Sequence, residues 1–227
     1  KVLSIIKDES KEIAKKYGNE RRTQIVAAET DLEIEDLIAE EDVLITISHA
    51  GYIKRLPVDT YRRQRRGGKG VTGGGVRDED EDFIEHMFLA STHDQILFFT
   101  NKGRVYWRKA YEIPQASRQA KGKAIVNLLA LGQDEKIASF LQVSEFDDKH
   151  YVLMVTKNGV VKKSNLMDYS HPRATGINAI TLKDKDALID CKMTNGKDEI
   201  FLATQQGKAI RFHEKQAREM GRTASGV

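Results

Sequence analysis

Hydrophobic and polar positions divide this chain into a short helical part and a long strand-rich part. In the first, Val2, Ile6, Ile13 and Tyr17 fall roughly on one helical face, lysines and glutamates fill the other, and Gly18-Asn19 supplies a stop. An acidic passage follows, TDLEIEDLIAEED from Thr30 to Asp42, whose Leu32/Ile34 alternation predicts a short strand running into a linker. The pattern places a boundary near residue 40, separating 1–41 from 42–227.

Beyond that boundary the chain repeats itself. Four segments read VLITISHAGYIKRL (from Val43), ILFFTNKGRVYWRK (from Ile96), VLMVTKNGVVKKSN (from Val152) and IFLATQQGKAIRFH (from Ile200). Each is an apolar run, a Ser or Thr, two mostly polar residues, a Gly, and a second strand-like run carrying Lys or Arg. The glycines are Gly51, Gly103, Gly159 and Gly207, each preceded at three positions by Ser48, Thr100, Thr156 or Thr204. This is hairpin chemistry, with a Gly of positive φ between β-branched and aromatic flanks. A second glycine follows in phase, at Gly70, Gly122, Gly176 and Gly226, each with an arginine three or four residues before it: Arg66, Arg118, Arg173, Arg222. Further strand-like runs lie at Phe83–Ala90, Lys136–Val143 and Ala187–Met193. Four strands in roughly 50 residues, repeated in phase, predict an all-β, propeller-like architecture. The fourth unit stops at Val227, directly after its second glycine, which suggests a blade cut short within a longer chain.

Charge sharpens the division. Residues 1–42 hold 7 Lys/Arg against 12 Asp/Glu, whereas 43–227 hold 30 against 22. The repeat region is therefore basic, which favours a polyanionic partner if the charges are grouped. At 227 residues the chain can bury a substantial core, and its single cysteine, Cys191, excludes an internal disulfide framework and fits a reducing compartment. No apolar run approaches membrane-span length, and KVLSIIKDESKEIAKK lacks the form of a signal peptide.

Several motifs fail their context tests. Gly68-Lys69-Gly70-Val71-Thr72-Gly73 formally matches GxGxxG, but a polybasic run precedes it and Gly74-Gly75 then RDEDED follows, where a dinucleotide site needs a strand and a helix. Gly70 after Lys69 excludes a Walker A loop. The six histidines lack metal-ligand spacing, and 78–82 lacks the ligand alternation of an EF-hand. No nucleophile–base signature is present.

What remains is cationic. The densest stretch is Arg62-Arg63-Gln64-Arg65-Arg66-Gly67-Gly68-Lys69-Gly70, five positive charges in nine residues with no acid. Its degenerate counterparts carry Arg118, Lys121 and Lys123, then Arg173, then Arg222. After the hairpin glycines stand Lys54 and Arg55; Arg104, Arg108 and Lys109; Lys162 and Lys163; Lys208 and Arg211. Cations at one place in successive units predict a belt along a rim. Such a belt suits a bent duplex: phosphate contacts give affinity through counterion release and carry no base information. Bending costs on the order of 1–6 kcal/mol, which several spaced contacts must offset. Glycines beside the arginines would let backbone N–H groups approach phosphate oxygens. The Tyr106-Trp107 pair, set in a strand, reads as core or inter-blade packing.

QRRGGKG, with GYIKRLPVDTYR before it, resembles the defining box of the C-terminal DNA-wrapping domains of DNA gyrase A subunits. The TNKGRVYW hairpin and the degenerate loops are similar to that family's repeat, and ETDLEIEDLIAEEDV and 1–29 resemble the end of the cleavage core and its coiled-coil arm. The resemblance implies a β-pinwheel of about six blades with strands exchanged between neighbours, and positive wrapping of duplex DNA on its rim. It implies that Gln64, Arg65, Arg66, Gly67, Gly68, Lys69 and Gly70 secure the wrap. It further implies a cytoplasmic, bacterial A2B2 complex of dimeric A subunits with B subunits, in which ATP and Mg2+ are used elsewhere and this segment holds neither cofactor nor catalytic tyrosine. The alternatives are the A-type subunit of topoisomerase IV, against which the intact box argues, and a protein-interaction propeller, whose WD dipeptides are missing. A propeller enzyme has no catalytic signature to support it.

Overall fold

Four hairpins set the frame of the molecule, a computed structural model that describes residues 2–25, 34–58 and 82–227. These fall into two units, Lys1–Leu37 and Ile38–Val227. The first contains helix α1 (Val2–Tyr17), ended where the Gly18 N–H bonds the Ala14 carbonyl at 2.8 Å. The strand expected around Leu32 lies largely outside the described residues. From Ile34 to Leu37 the chain forms a 3-10 turn instead, with Glu35 and Asp36 in its first turn.

In the second unit the hairpins are β1–β2 (Asp42–Ser48, Tyr52–Pro57), β4–β5 (Gln95–Thr100, Arg104–Lys109), β8–β9 (Tyr151–Thr156, Val161–Asn165) and β12–β13 (Glu199–Ala203, Ala209–His213). Their glycines have φ of 82°, 74°, 80° and 78° in chain order, the left-handed conformation predicted from the spacing. The repeated hydroxyl closes each turn. Ser48, Thr100, Thr156 and Thr204 each accept the N–H four residues on, at 3.2–3.3 Å, with the Gly N–H on the same residue's carbonyl. An acid from the start of the next strand completes three of these turns: Asp82 accepts the Ala50 N–H, Glu135 the Thr100 hydroxyl and Asp186 the Thr156 hydroxyl.

The third strand of each sheet is β3 (Ile84–Ser91), β7 (Ile137–Val143) or β11 (Leu188–Thr194), close to the runs predicted. The fourth strand comes from elsewhere. Sheet order is β3-β1-β2-β6 and β7-β4-β5-β10, where β6 (Lys123–Ala124) and β10 (Ile177–Asn178) belong to the following repeat. In the third sheet Val227 takes that place through two backbone hydrogen bonds with Val161, 2.8 and 2.9 Å. The handover keeps phase: Ile53 pairs with Lys123, Val105 with Ile177, Val161 with Val227. In every case the residue two after a hairpin glycine meets the residue one after the next repeat's second glycine.

Each hairpin presents apolar side chains on both faces, so its strands read as continuous hydrophobic runs. Ile96, Phe98 and Tyr106 pack against Ile45, Ile47 and Ile53 of the first repeat, while Leu97, Phe99, Val105 and Trp107 pack against Val152 and Met154 of the third. The adjacent residues Tyr106 and Trp107 thus serve two different inter-sheet cores, as their strand position predicted. Cys191 is buried in β11. In the last hairpin, Ile200 reaches the third sheet but Phe201, in the place of buried Leu97 and Leu153, is 66% exposed.

Candidate nucleic-acid interface

The cations read from the sequence as one belt separate into two populations. Lys54, Lys162 and Lys163 are 4%, 0% and 7% exposed, so their placement on an open rim is corrected. They stand on the second strands of their hairpins, both of whose faces are covered, so that even the consecutive Lys162 and Lys163, on opposite faces, are both buried. An ammonium there must find acceptors, and most of them come from the neighbouring repeat. Lys54 Nζ donates to the carbonyls of Arg118 and Ala120, both at 2.7 Å, and of Ser117 at 3.4 Å. Lys162 Nζ donates to Ala179 and Arg222 carbonyls, both at 2.6 Å. Lys163 Nζ reaches the Glu214 carbonyl at 3.3 Å and that residue's buried carboxylate at 3.9 Å. Burial pushes the Lys54 ammonium below its ordinary pKa and that of Lys162 down to about 8, where Arg222 adds to the shift and Asp168 opposes it.

Four more hairpin cations are half-buried and committed to carbonyls. Arg55 Nε donates to Ile113 at 2.7 Å, Arg108 Nε to Leu128 at 2.9 Å, Lys109 Nζ to His93 at 3.0 Å, and the Arg104 guanidinium to Thr175 and Gly176. Chain spacing alone did not separate these from surface charges, because a strand-borne Lys or Arg reads the same whichever way it points. The signal that does separate them is phase: the third residue after the hairpin glycine is Lys54, Tyr106 or Lys162 in repeats where that position is buried.

The outward population sits mainly on the handed-over loops. Lys121, Lys123 and Arg173 are exposed, Arg118 and Arg222 half-buried, and Lys208 and Arg211 are exposed on the last hairpin. Lys121 lies over the Tyr52 ring at 5.8 Å, a neighbour not anticipated from the sequence. Residues 115–124 hold Arg118, Lys121 and Lys123 with no acid, which makes the junction of repeats one and two the most cationic handover among the described residues. Arg62, Arg63 and the box from Gln64 to Gly70 lie outside the described residues.

The loop glycines also have a different task from the one expected. Gly122 and Gly226 have φ of 93° and 90°, and a Cβ there would stand 2.5 Å from the Ile53 carbonyl oxygen and 2.6 Å from that of Val161. A Cβ at Gly176 would strike the Tyr106 ring at 2.7 Å. Their missing side chains let each loop lie against the preceding repeat's outer strand. Among the described residues of the second unit, the surface has regular basic loops, no stacked aromatic array and no α-helix to enter a groove, which suits backbone contact with a polyanion.

Comparison with known proteins fits this geometry. The family model described as "DNA gyrase C-terminal domain, beta-propeller" matches four consecutive stretches, 42–91, 94–144, 150–195 and 198–227. The chain belongs to this family. The four matched stretches coincide with the four repeats, and the family's propeller is the architecture expected from their period. Over all 227 residues the chain is 50% identical to the DNA gyrase A subunit of Clostridium acetobutylicum, of which it spans 27%. Among solved structures it resembles the C-terminal domain of a DNA topoisomerase IV, with TM-score 0.70 and 32% identity over 84% of this chain and 57% of the other. It also resembles a DNA gyrase A C-terminal domain, with TM-score 0.63 and 26% identity over 82% of this chain and 59% of that one. No helix among the described residues is long and apolar enough to cross a membrane.

Proposed function

We propose that residues 42–227 bind duplex DNA without sequence preference and wrap it with positive handedness along the handed-over loops. In the intact protein this presents a crossing segment for strand passage, so that a gyrase introduces negative supercoils at the expense of ATP. The observation that carries the reading is the acid-free loop 115–124, whose Arg118, Lys121 and Lys123 stand at a repeat junction in a chain of the gyrase C-terminal domain family. Arg173, Arg222, Lys208 and Arg211 extend the same surface, and the box Gln64–Gly70 is its proposed anchor. Buried Lys54, Lys162 and Lys163 drop out of the set of phosphate contacts. The partners in this reading are duplex DNA and the remainder of the dimeric A subunits, joined by B subunits in an A2B2 assembly of the bacterial cytoplasm. Residues 1–41 lead into that remainder, where the catalytic tyrosine lies; ATP and Mg2+ serve other parts of the complex.

A topoisomerase IV origin has one specific point in its favour, the TM-score of 0.70 with such a domain. Identity of 50% with a gyrase A subunit over the whole chain, together with the intact QRRGGKG, favours gyrase. The test is topological. Relaxed plasmid bound to the chain and treated with a nicking-closing enzyme should retain a positive linking-number change. That change should shrink when Arg65, Arg66 and Lys69, or Arg118, Lys121 and Lys123, become alanine. An unchanged linking number with the native chain rejects wrapping.

A further inference from the structure

One position links fold and surface in a way that neither the repeat nor the family description assigns. It is the third residue after each hairpin glycine: Lys54, Tyr106, Lys162, Ile210. Lys54 gathers three carbonyls from residues 117–120 with one ammonium, and Lys162 gathers the carbonyls of Ala179 and Arg222. Ser117, Arg118, Ala120 and Arg222 lie in the handed-over loops, the segments that carry the outward cations. Loop 117–122 has little of its own to hold it: its one internal backbone hydrogen bond joins Ala120 N to Ser117 O at 3.1 Å. Charge-assisted bonds from a buried ammonium are the strong restraint available to such a segment. In the second repeat the work is divided: Arg104 takes the Thr175 and Gly176 carbonyls while the Tyr106 ring lies against Gly176. In the fourth, the position is apolar, Ile210.

We propose that Lys54 and Lys162 are positioning residues: each fixes the cationic loop of the next repeat from beneath and makes no contact with phosphate. The ammonium sits beneath a loop whose Lys121 and Lys123 are exposed and whose Arg118 is half-buried, as is Arg222 in the loop above Lys162, so order in one sets the geometry of the other. A loop held in place before DNA arrives spares the ordering cost that a floppy basic segment would incur on binding. The second half of this statement rests on the DNA-binding reading above; the first does not.

The two halves are separable by experiment on the full 227-residue chain. Acylation of lysines by acetic anhydride, with and without a linear duplex, should label Lys54 and Lys162 at least about tenfold more slowly than Lys123 in the free chain, as expected for amines released only by local opening. DNA should slow Lys123 and leave the two buried amines as they were. In Lys54→Met, hydrogen exchange across 117–122 should quicken about tenfold while β4 and β5 keep their protection. Its affinity for duplex should fall about fivefold with the salt slope unchanged, whereas Lys123→Met should reduce that slope by about 0.9. Lys54→Arg, which retains donors, should restore loop protection. Labelling of Lys54 in the free chain with shielding on DNA would overturn the proposal, as would a slope in Lys54→Met lowered like that of Lys123→Met. Unaltered loop exchange in both Lys54→Met and Lys162→Met would also overturn it. Should Lys54→Met fail to fold, the native labelling pattern and Lys162→Met decide. A chain without affinity for duplex rejects the proposed function, and loop exchange then judges the positioning role by itself.

Discussion

At the junction of repeats one and two, a buried ammonium under loop 117–120 supports a segment with three cations, half-buried Arg118 and exposed Lys121 and Lys123. At the junction of repeats two and three, the loop carries Arg173 as its outward cation and is held by the Arg104 guanidinium and the Tyr106 ring. The register of the handover is the same at both, Ile53 with Lys123 and Val105 with Ile177. Backbone geometry is therefore fixed by the repeat, while the charge displayed on it varies from unit to unit. The means of holding the loop varies too, between an ammonium and a guanidinium. What both junctions require is a glycine with positive φ lying against the previous outer strand.

That requirement gives the largest expected effect. Gly122→Ala should destabilise the second unit by about 3–5 kcal/mol, because an unfavourable φ adds to a clash with the Ile53 carbonyl that no side-chain movement relieves. Gly159→Ala is the contrast. Its φ is 80°, yet nothing lies within 4 Å of the added Cβ, so it should cost only about 1 kcal/mol. Urea unfolding followed by Trp107 emission measures both. Equal losses would mean that backbone conformation alone, and not the handover contact, demands the glycine.

The second effect sets the two junctions against each other on DNA. Replacing Arg118, Lys121 and Lys123 together by methionine should lower the slope of log affinity against log salt by about 2.7, and Arg173→Met by about 0.9. Fluorescence anisotropy with a duplex between 50 and 200 mM salt reads both slopes. Similar slopes for the two variants would show that the three charges at the first junction do not act as three phosphate contacts.

These contrasts mark where the sequence could be read and where it could not. The hairpin glycines, their hydroxyl partners and the third strands were legible because they depend on local chemistry: a positive φ, a side-chain oxygen four residues from an N–H, an alternating pattern. The in-phase second glycine was legible as a landmark but not as a contact, since its reason lies in Ile53 or Val161, some 65–70 residues away in the chain. The direction of Lys54 and Lys162 was hidden for the same reason. A lysine in a strand reads as surface, and it is the carbonyls delivered by the next repeat, joined at Lys162 by that of Ala179, that make an inward ammonium tolerable. The composition of the handed-over loops, by contrast, pointed correctly to exposed charge at Lys121, Lys123 and Arg173.

Buried charge predicts a third effect, smaller and dependent on pH. With its pKa at about 8 in the folded chain, Lys162 stays charged in both states below that value, and the penalty of burying it is fully present. Between about 8 and its unfolded value of 10.5, the folded chain releases the proton while the unfolded chain keeps it. The unfolded state then binds more protons, so stability rises with pH across that window. The shift corresponds to about 3 kcal/mol over the whole window, of which about 2 kcal/mol falls between pH 7.5 and 9.5. Comparing the native chain with Lys162→Met in urea at pH 7.5 and 9.5 isolates this contribution. A difference between the two chains that does not change with pH would mean that Lys162 titrates at its ordinary value.

The smallest effect concerns an exposed charge pair on the last hairpin. Arg211 and Glu199 meet diagonally across the last hairpin at 3.5 Å, with side chains 74% and 52% exposed. Solvent screens such a pair, and fixing two long side chains offsets the little that attraction supplies. Arg211→Gln should leave the thermal midpoint of the chain unchanged. On DNA it should still lower the salt slope by about 0.9, because the proposed contact depends on the charge and not on its pairing with Glu199. If the midpoint falls while the slope stays, Arg211 belongs with Lys54 and Lys162 among the cations that serve the fold.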